Sequence, residues 1–270
     1  MRLLRLDLHI HSRYSHDGTM SPHEILAAAR RAGLSGVAVC DHNALRGARA
    51  MQAACPKDFL IVPGAEYSTD FGHVLAYFIT RGAEEADLPK LADGRFKLTA
   101  LADFVKAQGG LLIAAHPYFG RDSLPAELLR NIHGLEVFNA RQMARCPRST
   151  AETQRAAHEM GGITTAGSDA HRPGEVGGAF IELSAETADT AETAARAAQV
   201  KQAMLSGRCA CRGRPAKRRH EAQGRFGSKG IAGLPRDMAR WVAFTSHDAV
   251  RAALGVRQWQ EHKDDETIRR

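Results

Sequence analysis

A strand, a loop and a helix follow one another in residues 3–33, LLRLDLHIHSRYSHDGTMSPHEILAAARRAG. Residues Leu3 to Ile10 follow the alternation of apolar and polar side chains that is typical of a β-strand with one buried face. The segment Ser21-Pro22-His23-Glu24 combines an N-cap serine, a proline at the first helical position and a capping-box glutamate. It predicts a helix that ends at Gly33. A strand joined to a helix in this way is the repeating unit of α/β proteins.

The same alternation continues for most of the chain. Further strands are predicted at 36–40, 59–62, 74–79, 111–115, 135–138, 163–166 and 179–183, and further helices at 45–54, 99–108, 149–160 and 186–205. This pattern predicts an α/β fold of parallel strands covered by helices, either a barrel or an open sheet. No glycine-rich dinucleotide fingerprint or Walker A motif follows any of these strands, which argues against the common nucleotide-binding folds.

Composition indicates a globular protein without a membrane partner. The 270 residues are 44% hydrophobic and 25% charged. No apolar run approaches the roughly 18 residues that a membrane-spanning helix needs. The first residues lack the apolar stretch of a signal peptide, and the five cysteines form no disulfide framework. We therefore expect a cytoplasmic location.

The net charge of +7 is concentrated near the C-terminal end, where residues 201–270 hold 16 Lys and Arg against 7 Asp and Glu. We expect residues 1–206 to form a barrel domain. Residues 207–270 are expected to form a basic extension, in which a loop precedes a helix over 234–254. The dense basic stretch at 208–220 either stays solvated or contacts the phosphates of a nucleic-acid end.

Histidines and carboxylates gather at the ends of the predicted strands and in the loops beyond them. His9 and His11 are two residues apart in an extended chain, so both imidazoles project from one face and can reach one ion. Imidazole and carboxylate together suit Zn, Mn or Fe, and nine such groups exceed the ligands of one tetrahedral zinc. We therefore expect two or three divalent metal ions at the C-terminal strand ends, where α/β barrels build their active sites. The expected ligands are His9, His11, Asp17, His42, Glu66, His73, His116, Asp169 and His171.

Six motifs at these positions carry a family resemblance. They are Asp7-Leu8-His9-Ile10-His11-Ser12-Arg13-Tyr14-Ser15, Asp41-His42-Asn43, Gly64-Ala65-Glu66, His116-Pro117, Glu136-Val137-Phe138-Asn139-Ala140-Arg141 and Gly167-Ser168-Asp169-Ala170-His171. In order and spacing they resemble the PHP (polymerase and histidinol phosphatase) family, and most closely its small stand-alone phosphoesterases. The resemblance implies a distorted, TIM-like (β/α)7 barrel of seven parallel strands that binds two or three metals and hydrolyses phosphate esters. The pattern around His73 resembles the branch with a trinuclear site.

The chemistry of phosphate esters gives these residues a function. Metal ions neutralise the anionic phosphorus centre and lower the pKa of a bound water from 15.7 toward about 7, so a hydroxide bridging two ions could attack in line. Arg141 is the best candidate for a bidentate phosphate clamp, and Arg46 and Arg13 are weaker candidates. His16 is expected to touch substrate at the mouth of the site rather than bind metal. The sequence thus predicts a metal-dependent phosphatase or phosphodiesterase acting on a phosphorylated small molecule or nucleotide.

Two other functions stay open. An amidohydrolase also begins with His-x-His on the first strand of a barrel, but it normally needs a bridging lysine late in the barrel. Lys90, Lys97 and Lys106 all precede the strand predicted at 111–115. The other alternative is a barrel that binds phosphate or nucleic acid without catalysis, against which the complete ligand set argues.

Overall fold

The computed structural model describes residues 2–146, 148–185, 193–215 and 266–268. The strands within these residues are β1 (Arg2–Ile10), β2 (Gly36–Val39), β3 (Leu60–Thr69), β4 (Gly72–Tyr77), β5 (Leu111–Ala114), β6 (Gly134–Asn139), β7 (Ile163–Gly167), β8 (Ala179–Ala185), β9 (Ala210–Gly213) and β10 (Glu266–Ile268). The helices are α1 (Pro22–Arg31), α2 (Arg46–Ala54), α3 (Leu98–Ala107), α4 (Ala126–Asn131), α5 (Ala140–Arg145), α6 (Arg148–Met160) and α7 (Thr193–Leu205), with a 3-10 turn at Ala83–Glu85. All strands belong to one sheet, in the order β10-β9-β8-β1-β2-β3-β4-β5-β6-β7.

Strands β1 to β7 form a nearly closed barrel. They are neighbours in chain order, and β1, β2 and β3 pair in parallel, as do β5, β6 and β7. A parallel bridge joins Ile10 to Ala170, just beyond β7. The backbone N–H of His11 donates to the carbonyl of Ala170, and that of Asp169 donates to the carbonyl of His9, both at 2.8 Å. The expected α/β barrel is therefore confirmed, and its seam lies among the predicted ligands.

One barrel strand, β4, runs antiparallel to both neighbours, which corrects the expectation of seven parallel strands. Asp70 and Phe71 alone separate β3 from β4, and a parallel pair needs a crossover of a dozen residues or more. The chain therefore reverses in a tight turn, in which Gly72 has a φ of 102° that suits glycine. Because β4 runs backwards, its first residues, including His73, lie at the rim formed by the C-terminal ends of the parallel strands.

The helices cover the barrel with their apolar faces. Helix α1 has the expected capping box, in which the Ser21 hydroxyl accepts from the Glu24 N–H and the Glu24 carboxylate accepts from the Ser21 N–H. It buries Ile25 against a core that contains Leu6 and Leu8 of β1. Among the residues described, no helix is long and apolar enough to cross a membrane.

The sheet continues beyond the barrel on the other side of β1. Strand β8 pairs antiparallel with β1, and β9 pairs antiparallel with β8. Residues 210–213, which the sequence places in a loop, thus form a strand, and the first part of the expected extension belongs to the sheet. Cys211 is fully buried there. The helix predicted over 234–254 and most of the basic residues of the extension lie outside the described residues.

Candidate metal centre

The structure brings all nine predicted ligands together at one rim of the barrel. His9 lies in β1 and His11 directly after it, Glu66 lies in β3, and His73 lies at the start of antiparallel β4. The others follow β2, β5 and β7 or lie in the loop after β1. In chain order they are His9, His11, Asp17, His42, Glu66, His73, His116, Asp169 and His171. Residues distant in sequence meet here because parallel strands end at the same edge of the sheet.

Glu66 lies at the centre of the cluster. Its Oε1 is 2.9 Å from His73 Nδ1 and 3.1 Å from His116 Nε2. Its Oε2 lies close to three more imidazole nitrogens, those of His42 (Nδ1, 3.1 Å), His11 (Nε2, 3.3 Å) and His9 (Nε2, 3.5 Å). The carboxylate is 1% exposed. One buried carboxylate thus faces five imidazoles, an arrangement in which it could bridge metal ions.

His9 and His11 point nitrogen atoms at each other. Their Nε2 atoms are 3.1 Å apart, and both side chains are buried. His9 Nδ1 lies 2.9 Å from the Glu136 carboxylate, which accepts a hydrogen bond from it, so in the neutral, metal-binding form of His9 the network assigns the proton to Nδ1. The Nε2 lone pair of His9 is then directed into the cluster, as a metal ligand requires.

A second group surrounds Asp17 at the more open side of the cluster. Asp17 Oδ2 is 2.8 Å from His171 Nε2 and 3.5 Å from His42 Nε2. The other ring nitrogen of His171, Nδ1, lies 2.9 Å from the backbone carbonyl of Asp169, which assigns its proton to that nitrogen and leaves Nε2 free to bind. The rings of His11 and His171 stack with their centroids 4.2 Å apart.

Asp169 and His116 have strained backbones. Their φ angles are 56° and 29°, in the left-handed region that residues other than glycine rarely occupy. Asp169 Oδ1 lies 3.3 Å from His11 Nε2. Such strain persists where surrounding structure over-determines the backbone, and it concentrates at functional sites. The loop after β5 and the loop after β7 therefore each hold a cluster residue in a backbone conformation that costs free energy.

Donor atoms of seven of the nine residues form three overlapping groups, within each of which the atoms lie within 4.8 Å of one another, and His116 and Asp169 belong to none of these groups. The groups are His11, Asp17, His42 and His171; His9, His11 and Glu66; and His42, Glu66 and His73. His73 Nδ1 is buried without a hydrogen-bond partner, although Glu66 Oε1 lies 2.9 Å away. An orphaned buried nitrogen is costly unless it binds something else. The residues therefore fit a cluster of divalent metal ions.

Electrostatics keep the carboxylates of the cluster ionised. Burial raises the pKa of Glu66, but the charge of His9 and hydrogen bonds from His11 outweigh it and hold that pKa well below its usual range. The pKa of Asp169 is likewise lowered, because the same two histidines outweigh its burial. Burial lowers the pKa of His42 to about 4. Burial also lowers the pKa values of His9, His11 and His116, but the neighbouring carboxylates outweigh it and raise them, that of His11 to about 9. Metal binding needs ionised carboxylates and neutral imidazoles, so it would release protons from these three histidines.

Two buried aspartates near the cluster have structural roles. Asp41 accepts the N–H and the hydroxyl of Ser12, each at 2.7 Å, and so holds the loop after β1. Asp7 accepts the backbone N–H groups of Ser168 and Gly177, each at 2.9 Å, which ties the loop after β7 to β1. Burial raises the pKa of Asp7 to about 6.

Glu136 is a residue of the site to which the sequence assigns no role. Its Oε1 lies 2.9 Å from His9 Nδ1, and its Oε2 accepts the backbone N–H of His116 and the side-chain amide of Asn139, each at 2.9 Å. Glu136 thus orients two proposed ligands, His9 and His116, through hydrogen bonds outside the cluster of donor atoms. The available signal was a charged residue in the middle of the buried strand β6, since glutamate is almost never buried without a partner.

Arg141 and His16 lie beside the cluster, and Arg13 and Arg46 lie beside Tyr14. Arg141 on α5 places Nη1 3.6 Å from Glu175 Oε2, and that oxygen accepts the backbone N–H of His171 at 2.8 Å. The guanidinium groups of Arg13 and Arg46 lie 5.8 Å and 5.3 Å from the ring centroid of Tyr14. The ring of His16 is 5.0 Å from that of His42, beside the cluster.

Comparison with known proteins finds matching family models and similar chains. The model of the PHP domain matches residues 7–111, and the PHP-associated model matches residues 147–199. An uncharacterized protein of Methanocaldococcus jannaschii is 31% identical over 151 residues, 51% of this chain and 82% of that protein. A second uncharacterized protein of this organism is 30% identical over 190 residues, 67% of this chain and 71% of that protein.

A solved structure shows the same fold. It is a two-domain protein from Bacteroides vulgatus, described as containing a predicted PHP-like metal-dependent phosphoesterase, with a TM-score of 0.61 and 19% identity. The superposition covers 78% of this chain and 64% of that protein, so this chain spans less than two thirds of its length.

Proposed function

Because the chain belongs to the PHP domain family, as its motifs indicate, we propose that it hydrolyses phosphate esters with two or three divalent metal ions, Zn, Mn or Fe. The proposed metal ligands are the nine residues of the cluster, His9, His11, Asp17, His42, Glu66, His73, His116, Asp169 and His171. The observation that carries the proposal is the contact of the buried Glu66 carboxylate with five imidazoles. A cluster of this kind has no structural purpose that a few apolar residues would not serve better.

Side-chain exposure differs across the cluster and indicates the side from which substrate can enter. His9, His11 and Glu66 lie at its bottom, each at most 1% exposed in the side chain. The side chains of Asp17 and His73 are each 35% exposed, so substrate can reach the cluster from their side. Bound divalent ions would neutralise phosphate charge and lower the pKa of water toward neutrality.

Side chains and backbone groups of the chain would orient the metal ligands and neutralise phosphate charge. Glu136 and the carbonyl of Asp169 fix the ring orientations of His9 and His171, which keeps their free nitrogens directed into the cluster. Arg141 is the proposed phosphate clamp, because its guanidinium lies at the rim beside Glu175 and can offer two donors to two phosphate oxygens. His16 would contact substrate at the mouth.

The amidohydrolase alternative has less support. Within the described part of the chain, the ion pairs of the nine cluster residues join histidines to carboxylates and involve no lysine. Lys90 instead lies 4.7 Å from the ring centroid of Phe96. A phosphorylated small molecule or nucleotide is the proposed substrate, and a nucleic-acid end that contacts the basic residues after 207 is an extension of the same proposal.

The experiment is a comparison of metal-free and reconstituted protein. Protein stripped with a chelator should not hydrolyse any member of a panel of phosphomonoesters and diesters, and Mn, Zn or Fe should restore hydrolysis. Asp169→Asn removes a ligand charge and should lower turnover by orders of magnitude after reconstitution, with the melting temperature showing whether it folds. Full hydrolysis in stripped protein, or hydrolysis of amides alone, would refute the proposal.

A further inference from the structure

A cavity of about 270 Å³ opens beside the proposed metal centre. His73 and His116 line it, and the same two imidazoles contact Glu66 Oε1 at 2.9 Å and 3.1 Å. They therefore form a shared wall between the cavity and the cluster. A group attached to a phosphate bound at the cluster could extend directly into this space.

The lining of the cavity is unfavourable for most polar groups of a ligand. Its principal side chains are those of Phe71, His73, His116, Phe119, Arg121 and Leu128. None of the lining residues carries a carboxylate or a hydroxyl. A sugar or polyol placed here would lose hydrogen bonds to water and find few acceptors in return, which is unfavourable. The cavity suits an apolar group.

Phe119 adds an aromatic surface to the cavity. Its side chain is 44% exposed, and only two other large hydrophobic residues among those described, Leu3 and Leu205, are similarly exposed. Neither of these two lines the cavity. The ring centroid of Phe119 lies 6.0 Å from that of His116, at an angle of 74°. An exposed aromatic ring in a concave site next to catalytic groups is typical of a ligand contact.

Arg121 places a fixed cation on the same cavity. Its Nη1 donates to the carbonyl of Phe71 at 2.8 Å. A Cβ at Gly72 would lie 2.5 Å from Arg121 Nη2, so glycine at that position leaves room for the guanidinium. Among the described residues, no ion pair joins Arg121 to a carboxylate. A planar, unneutralised guanidinium can stack on an aromatic ring and attract an anion.

We propose that this cavity receives a flat aromatic ring carried by the phosphate ester, packed against Phe119 and the Arg121 guanidinium. The inference rests on the proposed function, because it places the phosphate of the same ester at the metal centre. A nucleobase and a simple aryl group share this chemistry. The cavity therefore selects aromatic esters over aliphatic ones.

Binding of two phosphonates, which cannot be hydrolysed at their carbon–phosphorus bonds, tests the cavity without turnover. Titration calorimetry on the metal-loaded full chain should show that phenylphosphonate binds about tenfold tighter than methylphosphonate, the effect of one stacked ring. Phe119→Ala should remove most of this difference. Leu205→Ala, an equally exposed residue outside the cavity, should keep it. Equal affinities for the two phosphonates, or a difference that Phe119→Ala leaves unchanged, would overturn the inference.

Hydrolysis distinguishes the two sources of the ring. Phe119→Ala should raise KM about tenfold for p-nitrophenyl phosphate or for a nucleoside monophosphate, and leave glycerol phosphate unaffected. The aromatic ester that loses more identifies the ring. Equal loss for all three esters, or no loss for either aromatic ester, would overturn the inference. If wild type hydrolyses no ester, the proposed function fails, and the phosphonate titration still decides whether the cavity binds aromatic rings.

Discussion

Glu136 Oε1 lies 2.9 Å from His9 Nδ1, and this contact fixes which nitrogen of His9 faces Glu66 and His11. The other oxygen of Glu136 accepts the N–H of His116, so a single buried carboxylate positions two proposed ligands. Glu136 does not belong to any of the three groups of donor atoms that could hold an ion. It acts through His9, which belongs to one of these groups, and through His116, which contacts Glu66.

The first prediction concerns this positioning role. Glu136→Gln presents an amide nitrogen where the carboxylate accepts hydrogen bonds, so His9 loses part of its orientation. Metal affinity should fall by about 10- to 100-fold, the usual cost of losing a residue that orients a metal ligand. Activity measured against free metal concentration should show this shift, with recovery at excess metal.

The matched control is Glu182→Gln. Glu182 on β8 pairs with Arg5 on β1 and Arg212 on β9, away from the cluster. This variant should bind metal as wild type does. An unchanged metal dependence in Glu136→Gln would show that Glu136 has no positioning role.

The second prediction concerns the phosphate clamp. Charge-assisted contacts of a guanidinium contribute about 1.5–3 kcal/mol each, so Arg141→Ala should lower kcat/KM by about 10- to 100-fold. Arg141→Lys keeps the charge without the planar fork and should recover only part of the loss. Metal content, measured by elemental analysis, should match wild type in both. If Arg141→Ala hydrolyses phosphate esters at the wild-type rate, Arg141 is not the clamp, and Arg46 or Arg13 becomes the next candidate.

The third prediction concerns pH and stability far from the cluster. The backbone N–H of Leu112 donates to His133 Nδ1 at 3.0 Å, and burial lowers the pKa of His133 below its ordinary value of 6.5. A base whose pKa falls on folding contributes stability above its unfolded pKa and loses it as pH falls. The contribution of His133 to the free energy of unfolding should therefore decrease between about pH 7.5 and about pH 5.5.

A variant that cannot titrate isolates this effect. His133→Asn keeps an acceptor for the Leu112 N–H but does not titrate, so its free energy of unfolding relative to that of wild type should increase as pH falls across this range. His158→Asn changes an exposed histidine on α6 and should behave as wild type. Identical pH slopes for wild type and His133→Asn in chemical denaturation would contradict the prediction.

The fourth prediction concerns where the chain can be shortened. A chain that ends at Ser206 loses β9, which pairs with β8 and buries Cys211, so its melting temperature should fall strongly. A chain that ends at Pro215 keeps β9 and should hydrolyse a small ester as the full chain does. If the basic residues beyond 215 contact nucleic acid, this shorter chain should lose activity on oligonucleotides, most at low salt. Equal stability of the two shortened chains would show that β9 contributes nothing to the fold.

Much of the cluster was predictable from the sequence because its residues follow local patterns of strand alternation and strand ends. His9 and His11 alternate on a strand, and a strand end places them at a known edge of the barrel. The direction of β4 was not predicted, because an apolar run such as Val74-Leu75-Ala76-Tyr77 reads the same in either direction. Only the two-residue connection after Thr69 contains that information.

Other features depend on contacts between distant residues. Strand β9 consists of Ala210-Cys211-Arg212-Gly213, four residues without a strand pattern of their own, which are held by pairing with β8. The role of Glu136 arises from His9, which is 127 positions away in the sequence. Such roles follow from tertiary structure, and sequence patterns indicate only that a buried charge needs a partner.

The central claim is that Glu66 and the imidazoles around it hold a cluster of metal ions. Elemental analysis of protein purified without chelator tests it directly, with wild type and Glu66→Gln compared at equal folded fraction. We predict two or three equivalents of Zn, Mn or Fe in wild type and a marked loss in Glu66→Gln, because the bridging charge is removed. Less than one equivalent in wild type, together with no activation by added Mn, Zn or Fe, would contradict the account.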